Sequence, residues 1–162
     1  MSTQAKPSFS IRKARNEDCA GILECLSLAF APYRSEYTPD AYLDTVLTSE
    51  TLGKRLSRMS VFVAIDISGQ VIGTIACQVL DRGEGYLRGM AVRPESQGLG
   101  VSKQLLERAE AELAKAGCRT IILNTAEPLK RAVHFYEKNG FRPTGTVRDF
   151  FGMSVFQYSK SL

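Results

Sequence analysis

Residues 97–103 read QGLGVSK: two glycines, then a hydroxyl and a lysine, at the head of an amphipathic run. Those residue types in that order suit an anion. The first amides of a helix have no partner within it, and the helix dipole adds positive potential there. Gly98 and Gly100 let an anion approach the backbone with no Cβ in the way, while Ser102 offers a hydroxyl and Lys103 a charge. A tight structural turn uses the same two glycines, so the run alone leaves both readings open. Spacing excludes two phosphate motifs. No window matches GxxxxGK[ST], and Lys103 stands where GxGxxG needs its third glycine. The five residues between Val92 and Gly98 also make a long entry for a tight dinucleotide-binding turn.

Other side chains with usable chemistry are few. Tyr136 carries a phenol within AVHFYEKNGF (132–141), where a tyrosine beside Phe135 equally reads as core packing. Glu84, in DRGEG, offers a carboxylate two residues before Tyr86 and so on the same strand face, although DRGEG also reads as a surface turn. His134 is the one histidine and reads as a solvated helix position. The four cysteines (Cys19, Cys25, Cys77, Cys118) form no CxxC pair, so they read as small apolar residues of a reducing compartment. With no ligand cluster, no metal site is expected.

Bulk properties narrow the class. A chain of 162 residues fits one domain with its own core; 44% apolar and 23% charged residues are ordinary for a globular protein. The net charge of +4 comes with no basic block, which gives little support for nucleic acid. No apolar run approaches the roughly 20 residues that span a bilayer. The start, MSTQAKPSFS, lacks a signal-peptide layout, so residues 1–9 are expected to be a loose lead, residues 10–162 one domain, and the location cytoplasmic.

The elements that must position these residues follow from periodicity. Ser10–Ala14 reads as a strand, and Asn16 or Asp18 as the cap of a helix over about 17–30. Thr38-Pro39 starts a second helix running to about Arg58. VFVAID (61–66) and VIGTIACQVL (71–80), joined by Ser68-Gly69, read as a hairpin, and YLRGMAV (86–92) as the next strand. A helix over about 99–116 is closed by Gly117; TIILNT (120–125) is a buried strand; a helix over about 128–139 ends at Asn139-Gly140. Strands near 142–148 and 153–159 finish the chain. The expectation is a mixed α/β fold with four helices on a mostly antiparallel, twisted seven-stranded sheet, locally parallel across 86–125.

QGLGVSKQLL followed by HFYEKNGF resembles the GCN5-related N-acetyltransferase family, whose phosphate motif is [QR]-x-x-G-x-[GA]. Gln97, Gly98, Leu99, Gly100, Val101 and Ser102 occupy its six places, with small Ser102 departing from the Gly/Ala pattern. LRGMAVRPESQG looks like the family's fourth strand and entry loop, and the resemblance spans roughly residues 10–160 in element order. It implies a sheet splayed at its fourth and fifth strands, with acetyl-CoA lying in the gap and no metal. The backbone of Met90, Ala91 and Val92 would bond the pantetheine arm, with an N–H near Met90 on the thioester carbonyl. The pyrophosphate would sit on Gly98 to Ser102, assisted by Lys103, and Tyr136 would serve the leaving thiolate. Where many relatives carry a basic glutamate this chain has Tyr86, which leaves Glu84 as the candidate base. Where many carry an Asn three residues before Ala132 it has Leu129, and Asn124 is the candidate substitute. The acceptor amine should meet FAPYRSEYTPDAY and VRDFFGMSVF, which hold Phe30, Tyr33, Tyr37, Tyr42, Phe150 and Phe151 with Arg34, Glu36 and Asp149. A catalytically silent acyl-CoA-binding module is the alternative. Dimers are common in the family, which admits a homodimer, although no sequence feature marks an interface.

Overall fold

The computed structural model describes residues 8–162. The expected lead lies outside the described residues except for Ser8 and Phe9, and Phe9 already belongs to the first strand. Seven strands, β1 (Phe9–Lys13), β2 (Ser60–Asp66), β3 (Val71–Val79), β4 (Glu84–Val92), β5 (Thr120–Ala126), β6 (Arg142–Phe150) and β7 (Met153–Ser161), form one sheet in the order β1-β2-β3-β4-β5-β7-β6. Only β4 and β5 run parallel. The β2–β3 turn is fixed by Asp66, whose Oδ1 accepts from the amides of Ser68 (3.0 Å) and Gln70 (2.9 Å). An aspartate side chain folding back on its own turn in this way is what makes DISGQ a hairpin.

Five α-helices flank the sheet: α1 (Cys19–Phe30), α2 (Pro39–Val46), α3 (Ser49–Arg58), α4 (Val101–Lys115) and α5 (Lys130–Lys138). Four were expected. The helix read as continuous from Thr38 to Arg58 breaks at Leu47, which takes a φ of 64°. Thr48 then starts a new helix: its Oγ1 accepts from the Thr51 amide (3.2 Å), and Thr51 Oγ1 accepts from the Thr48 amide (2.8 Å). This reciprocal cap satisfies helix-end donors that a continuous helix would not have had free. The break turns α3 so that Leu52 is buried against α1 and the sheet, and Arg55 goes in with it.

The two faces of the sheet carry separate apolar clusters. Val101, Leu105, Leu106, Ala109 and Leu113 of α4 pack with Phe62, Ile75, Leu87, Ile121 and Phe141 on one face. Ile22, Cys25 and Leu26 of α1, with Leu52 of α3, pack on Val63, Val71, Ala76 and Ala91 on the other. The valine, leucine, isoleucine and phenylalanine side chains among them each contribute on the order of 1.5–3 kcal/mol. Among the described residues no helix is long and apolar enough to cross a membrane.

Asp18 does not cap α1 as the sequence suggested. Its buried carboxylate turns back to accept from Arg12 Nη1 (2.7 Å), Arg12 Nη2 (2.9 Å) and the Arg15 amide (2.7 Å). The Arg12 hydrogen bonds hold its carboxyl below the usual carboxylate range, and burial opposes them. A carboxyl lowered on folding stabilises the protein above its unfolded pKa, about 3.9, and that contribution is lost as pH falls through the folded value. Asp18→Asn therefore costs about 2 kcal/mol at neutral pH and flattens the acid limb of the stability profile. Urea melts at neutral pH and in acid check this; the same loss at both would remove Asp18 from acid denaturation.

Candidate active site

One extra residue in β4 builds the site. Ala76 of β3 faces Arg88, but Thr74 faces Ala91, so Gly89 and Met90 together oppose the single residue Ile75. Gly89 sits at the kink with a φ of 67°, a conformation open to glycine and costly for most other residues. The bulge shifts the alternation of the strand. Leu87 and Val92, five apart, both pack on the α4 face, while Ala91 turns to α1. Pairing of β4 with β5 stops at Leu87–Leu123, and beyond it the strands part. The backbone of Met90, Ala91 and Val92 thus borders a gap instead of a neighbouring strand, as the resemblance implies. A cleft of about 990 Å³ runs through this gap.

At one end of the cleft lies the glycine turn. Arg93 is buried and anchors its entry, with Nε donating to the Val71 carbonyl (2.7 Å) and Nη2 paired to Glu24 (3.3 Å). Gln97 donates from Nε2 to the Val92 carbonyl (3.3 Å) and accepts from Arg131 Nη1 (2.7 Å), so its side chain ties the turn to β4 and α5. Gly98 and Gly100 take φ values of 85° and 82°, and α4 starts at Val101 with no side-chain cap. The amides of Gly98 through Lys103 make no hydrogen bond among the described residues. A Cβ at either glycine would meet nothing within 4 Å, so the space over these amides is open. This is an anion cradle on the backbone, with Ser102 and Lys103 also lining the cleft. Leu99 is 58% exposed and does not line the cleft, so its side chain is outside the site.

The β5 wall contributes two orphaned polar atoms. Asn124 Oδ1 and Thr125 Oγ1 are buried without a hydrogen-bond partner, and both residues line the cleft. Buried polar atoms are rarely left unpaired, and here a linear ligand bearing amides would satisfy them. The cradle, the splayed backbone and these two atoms together fit the donor that the resemblance implies. Tyr136 projects from α5 into the same cleft, 8% exposed, its ring edge-on to Phe135 (5.4 Å) and Phe141 (5.5 Å). Burial pushes its phenol well above the ordinary value, so it keeps its proton at any physiological pH.

Of the aromatic residues singled out in the sequence, Phe30, Tyr33, Tyr37 and Phe150 line the cleft. Tyr42, Phe151, Arg34, Glu36 and Asp149 do not line it; Arg34 stacks over the Tyr42 ring at 5.3 Å. Burial pushes the Tyr37 phenol up to about 12. Tyr86 reaches the cleft, but Glu84, at the opening of β4 where the strand pairs with Thr120, does not. Among the described lining residues there is no aspartate or glutamate. His134 is exposed. No metal-binding group of His, Cys, Asp and Glu occurs among the described residues.

Sequence reasoning missed Arg55 and Arg88. Arg88 lines the cleft with its guanidinium on Asp44 of α2 (2.9 Å). Arg55, 9% exposed, lies against the bulge, its Nη1 2.6 Å from where a Cβ on Gly89 would stand. A signal for it existed: three residues after Leu52, Arg55 occupies the apolar stripe of a short helix, where a charge is out of place.

A sheet split beside an uncapped helix start, with both opening on one cleft, is the arrangement that the resemblance to N-acetyltransferases implies. The acetyltransferase (GNAT) family model matches residues 14–141, and the chain belongs to that family. An amino-acid acetyltransferase of Pseudomonas putida is 28% identical over 139 residues, which is 85% of this chain; the chain spans 28% of that relative's length. Two solved structures are similar in fold. One is PaiA N-acetyltransferase from Thermoplasma acidophilum in complex with coenzyme A, with a TM-score of 0.79, 22% identity, and coverage of 96% of this chain and 99% of that one. The other is an acetyltransferase of the GNAT family from Staphylococcus aureus, with a TM-score of 0.78, 22% identity, and coverage of 95% and 99%.

Proposed function

We propose that the chain transfers an acetyl group from acetyl-CoA directly to a primary amine. The observation that carries this reading is the run of amides from Gly98 to Lys103, free of protein partners, opening on the gap between β4 and β5. The cradle holds the pyrophosphate. The backbone of Met90 to Val92, with Asn124 and Thr125 opposite, orients the pantetheine arm. An N–H at the β4 bulge, near Met90, meets the thioester carbonyl oxygen as negative charge develops there. The amine nitrogen forms the new N–C bond, the C–S bond breaks, and Tyr136 donates a hydrogen bond to the departing sulfur. With Asp44 tied up on Arg88 and no acid lining the cleft, the ammonium gives up its proton to water, and the Tyr86 hydroxyl serves as the relay. The cationic walls favour this step, because they disfavour the charged form of the amine. The four unpaired cysteines, three of them buried, support a reducing cytoplasm as the place of work.

The test is thiol release from acetyl-CoA over a panel of primary amines, alongside melting curves with the donor. At a hundredfold excess over its Kd, acetyl-CoA is expected to stabilise the protein by about 2.7 kcal/mol. Binding with no thiol release from any amine would replace this reading with a silent acyl-CoA-binding module. No thermal shift at all would remove the donor itself.

A further inference from the structure

Arg55 is the buried charge that the transfer as described leaves unused. Its guanidinium enters the cleft from the last turn of α3, 9% exposed, and makes no hydrogen bond or ion pair among the described residues. Its surroundings offer little compensation. Asp44 favours its charged form, but Arg88 opposes it and holds the Asp44 carboxylate in a 2.9 Å contact of its own. Burial and Arg88 lower the Arg55 pKa to about 10, which still leaves it charged at neutral pH. One positive charge without a contact partner therefore stands inside a cleft whose described lining contains no acid. A buried charge without a partner is strongly destabilising, so a site that keeps one is built for an anion.

The position of the charge says which anion. Arg55 Nη1 lies 2.6 Å from where a Cβ on Gly89 would stand, and Met90, to which the transfer reading gives the N–H on the thioester, is the next residue, about 3.8 Å along the backbone. The same cleft is lined by the aromatic rings of Phe30, Tyr33, Tyr37 and Phe150. The cradle for the donor's phosphates, Gly98 to Lys103, follows the C-terminal end of β4, past Val92, whereas Arg55 lies against Gly89 within the strand.

Resting on the transferase reading above, we infer that Arg55 binds the carboxylate of the acceptor, which is an α-amino acid with an apolar or aromatic side chain. A carboxylate held on Arg55 sets the amine on the adjacent carbon beside the thioester held at Met90. The side chain then packs on Phe30, Tyr33, Tyr37 and Phe150. A guanidinium presents two parallel N–H groups to a carboxylate, which fixes orientation as well as affinity.

The experiment compares L-leucine, L-valine and L-phenylalanine with isoamylamine, isobutylamine and phenethylamine, their decarboxylated counterparts. Thiol release gives kcat/KM, and calorimetry gives binding to the protein saturated with coenzyme A. The expected result is a preference of at least about a hundredfold for the carboxylate members, as the loss of a charged, bidentate contact implies. Arg55→Gln brings the two classes within a few fold of each other, chiefly through KM, and leaves the Kd for acetyl-CoA unchanged. Arg55→Lys, which keeps the charge and loses the fork, falls between and guards against a misfolded glutamine variant. Turnover of the decarboxylated amines alone, or equal loss of both classes in Arg55→Gln, overturns the carboxylate site and leaves the transferase standing. Carboxylate-dependent binding without thiol release from any amine supports the site and overturns the transferase.

Discussion

Replacing Tyr136 with phenylalanine is expected to lower kcat about a hundredfold and to leave the Kd for acetyl-CoA within about twofold. The ring is held by edge-on packing against Phe135 and Phe141, which phenylalanine reproduces, so the fold loses nothing it depends on. What goes is one O–H. Burial alone shifts that group, with no hydrogen-bonding partner contributing, so the substitution removes no hydrogen bond from the folded state. The melting temperature should stay the same or rise slightly. The work of the O–H comes only when the C–S bond breaks, and an interaction made only then appears in kcat and not in donor binding. A hundredfold corresponds to about 2.7 kcal/mol of transition-state stabilisation. Burial raises the phenol above its usual value, so Tyr136 stays protonated through the working range and should contribute no titrating limb to the pH–rate profile near neutrality. An unchanged kcat, or a loss confined to KM for acetyl-CoA, would take Tyr136 out of the reaction.

The parts of this site that were legible in the sequence are those made by neighbours along the chain. QGLGVSK carries its anion cradle within seven residues, because glycine at positive φ followed by an uncapped helix start is a local device. FYEKNGF is local too: one helix end and its cap place the tyrosine. The hairpin at Asp66–Gln70 closes on its own side chain. What depended on distant parts of the chain was harder to read. Leu47 breaks α2 from α3 against its intrinsic preference, because burial of Leu52 needs the turn and the Thr48–Thr51 cap holds it. Without that break Arg55 looks like one more solvated charge on a long helix. With it, Arg55 is carried under the sheet, to the β4 bulge more than thirty residues further along the chain. The bulge itself left a trace, since Gly89 is an isolated glycine inside a strand, which commonly marks an extra residue or a close approach. Sequence left Glu84 as the candidate base, two residues before the Tyr86 that replaces the glutamate of many relatives. The folded site distinguishes them, because only Tyr86 lines the cleft.

The second large effect is expected at the cradle. Gly100→Asp should raise the Kd and KM for acetyl-CoA by at least about a hundredfold and leave kcat at saturating donor nearly unchanged. Gly100 is the residue before α4, exposed, at a φ of 82°, and a Cβ there would have nothing within 4 Å, so an added side chain clashes with no protein atom. The left-handed backbone costs a non-glycine residue on the order of 1–2 kcal/mol, least for Asp and Asn. With ψ near 11° the side chain points away from the Ser102 and Lys103 amides and gives no cap in return. The melting temperature should therefore fall by a few degrees. The site suffers through charge, because a carboxylate now stands beside the amides where the pyrophosphate must come. Repulsion there weakens each charge-assisted bond of the donor, worth about 1.5–3 kcal/mol, and loss of two accounts for the hundredfold. Gly100→Ala separates the terms: it keeps the backbone cost and adds no charge, so donor affinity should fall only a few fold. Added salt should recover part of the aspartate variant's affinity, since repulsion at an exposed turn is screened. Calorimetric titration with acetyl-CoA reads all three proteins. If the aspartate variant binds the donor as tightly as the parent chain, the pyrophosphate does not sit on these amides, and the assignment built from QGLGVSK fails.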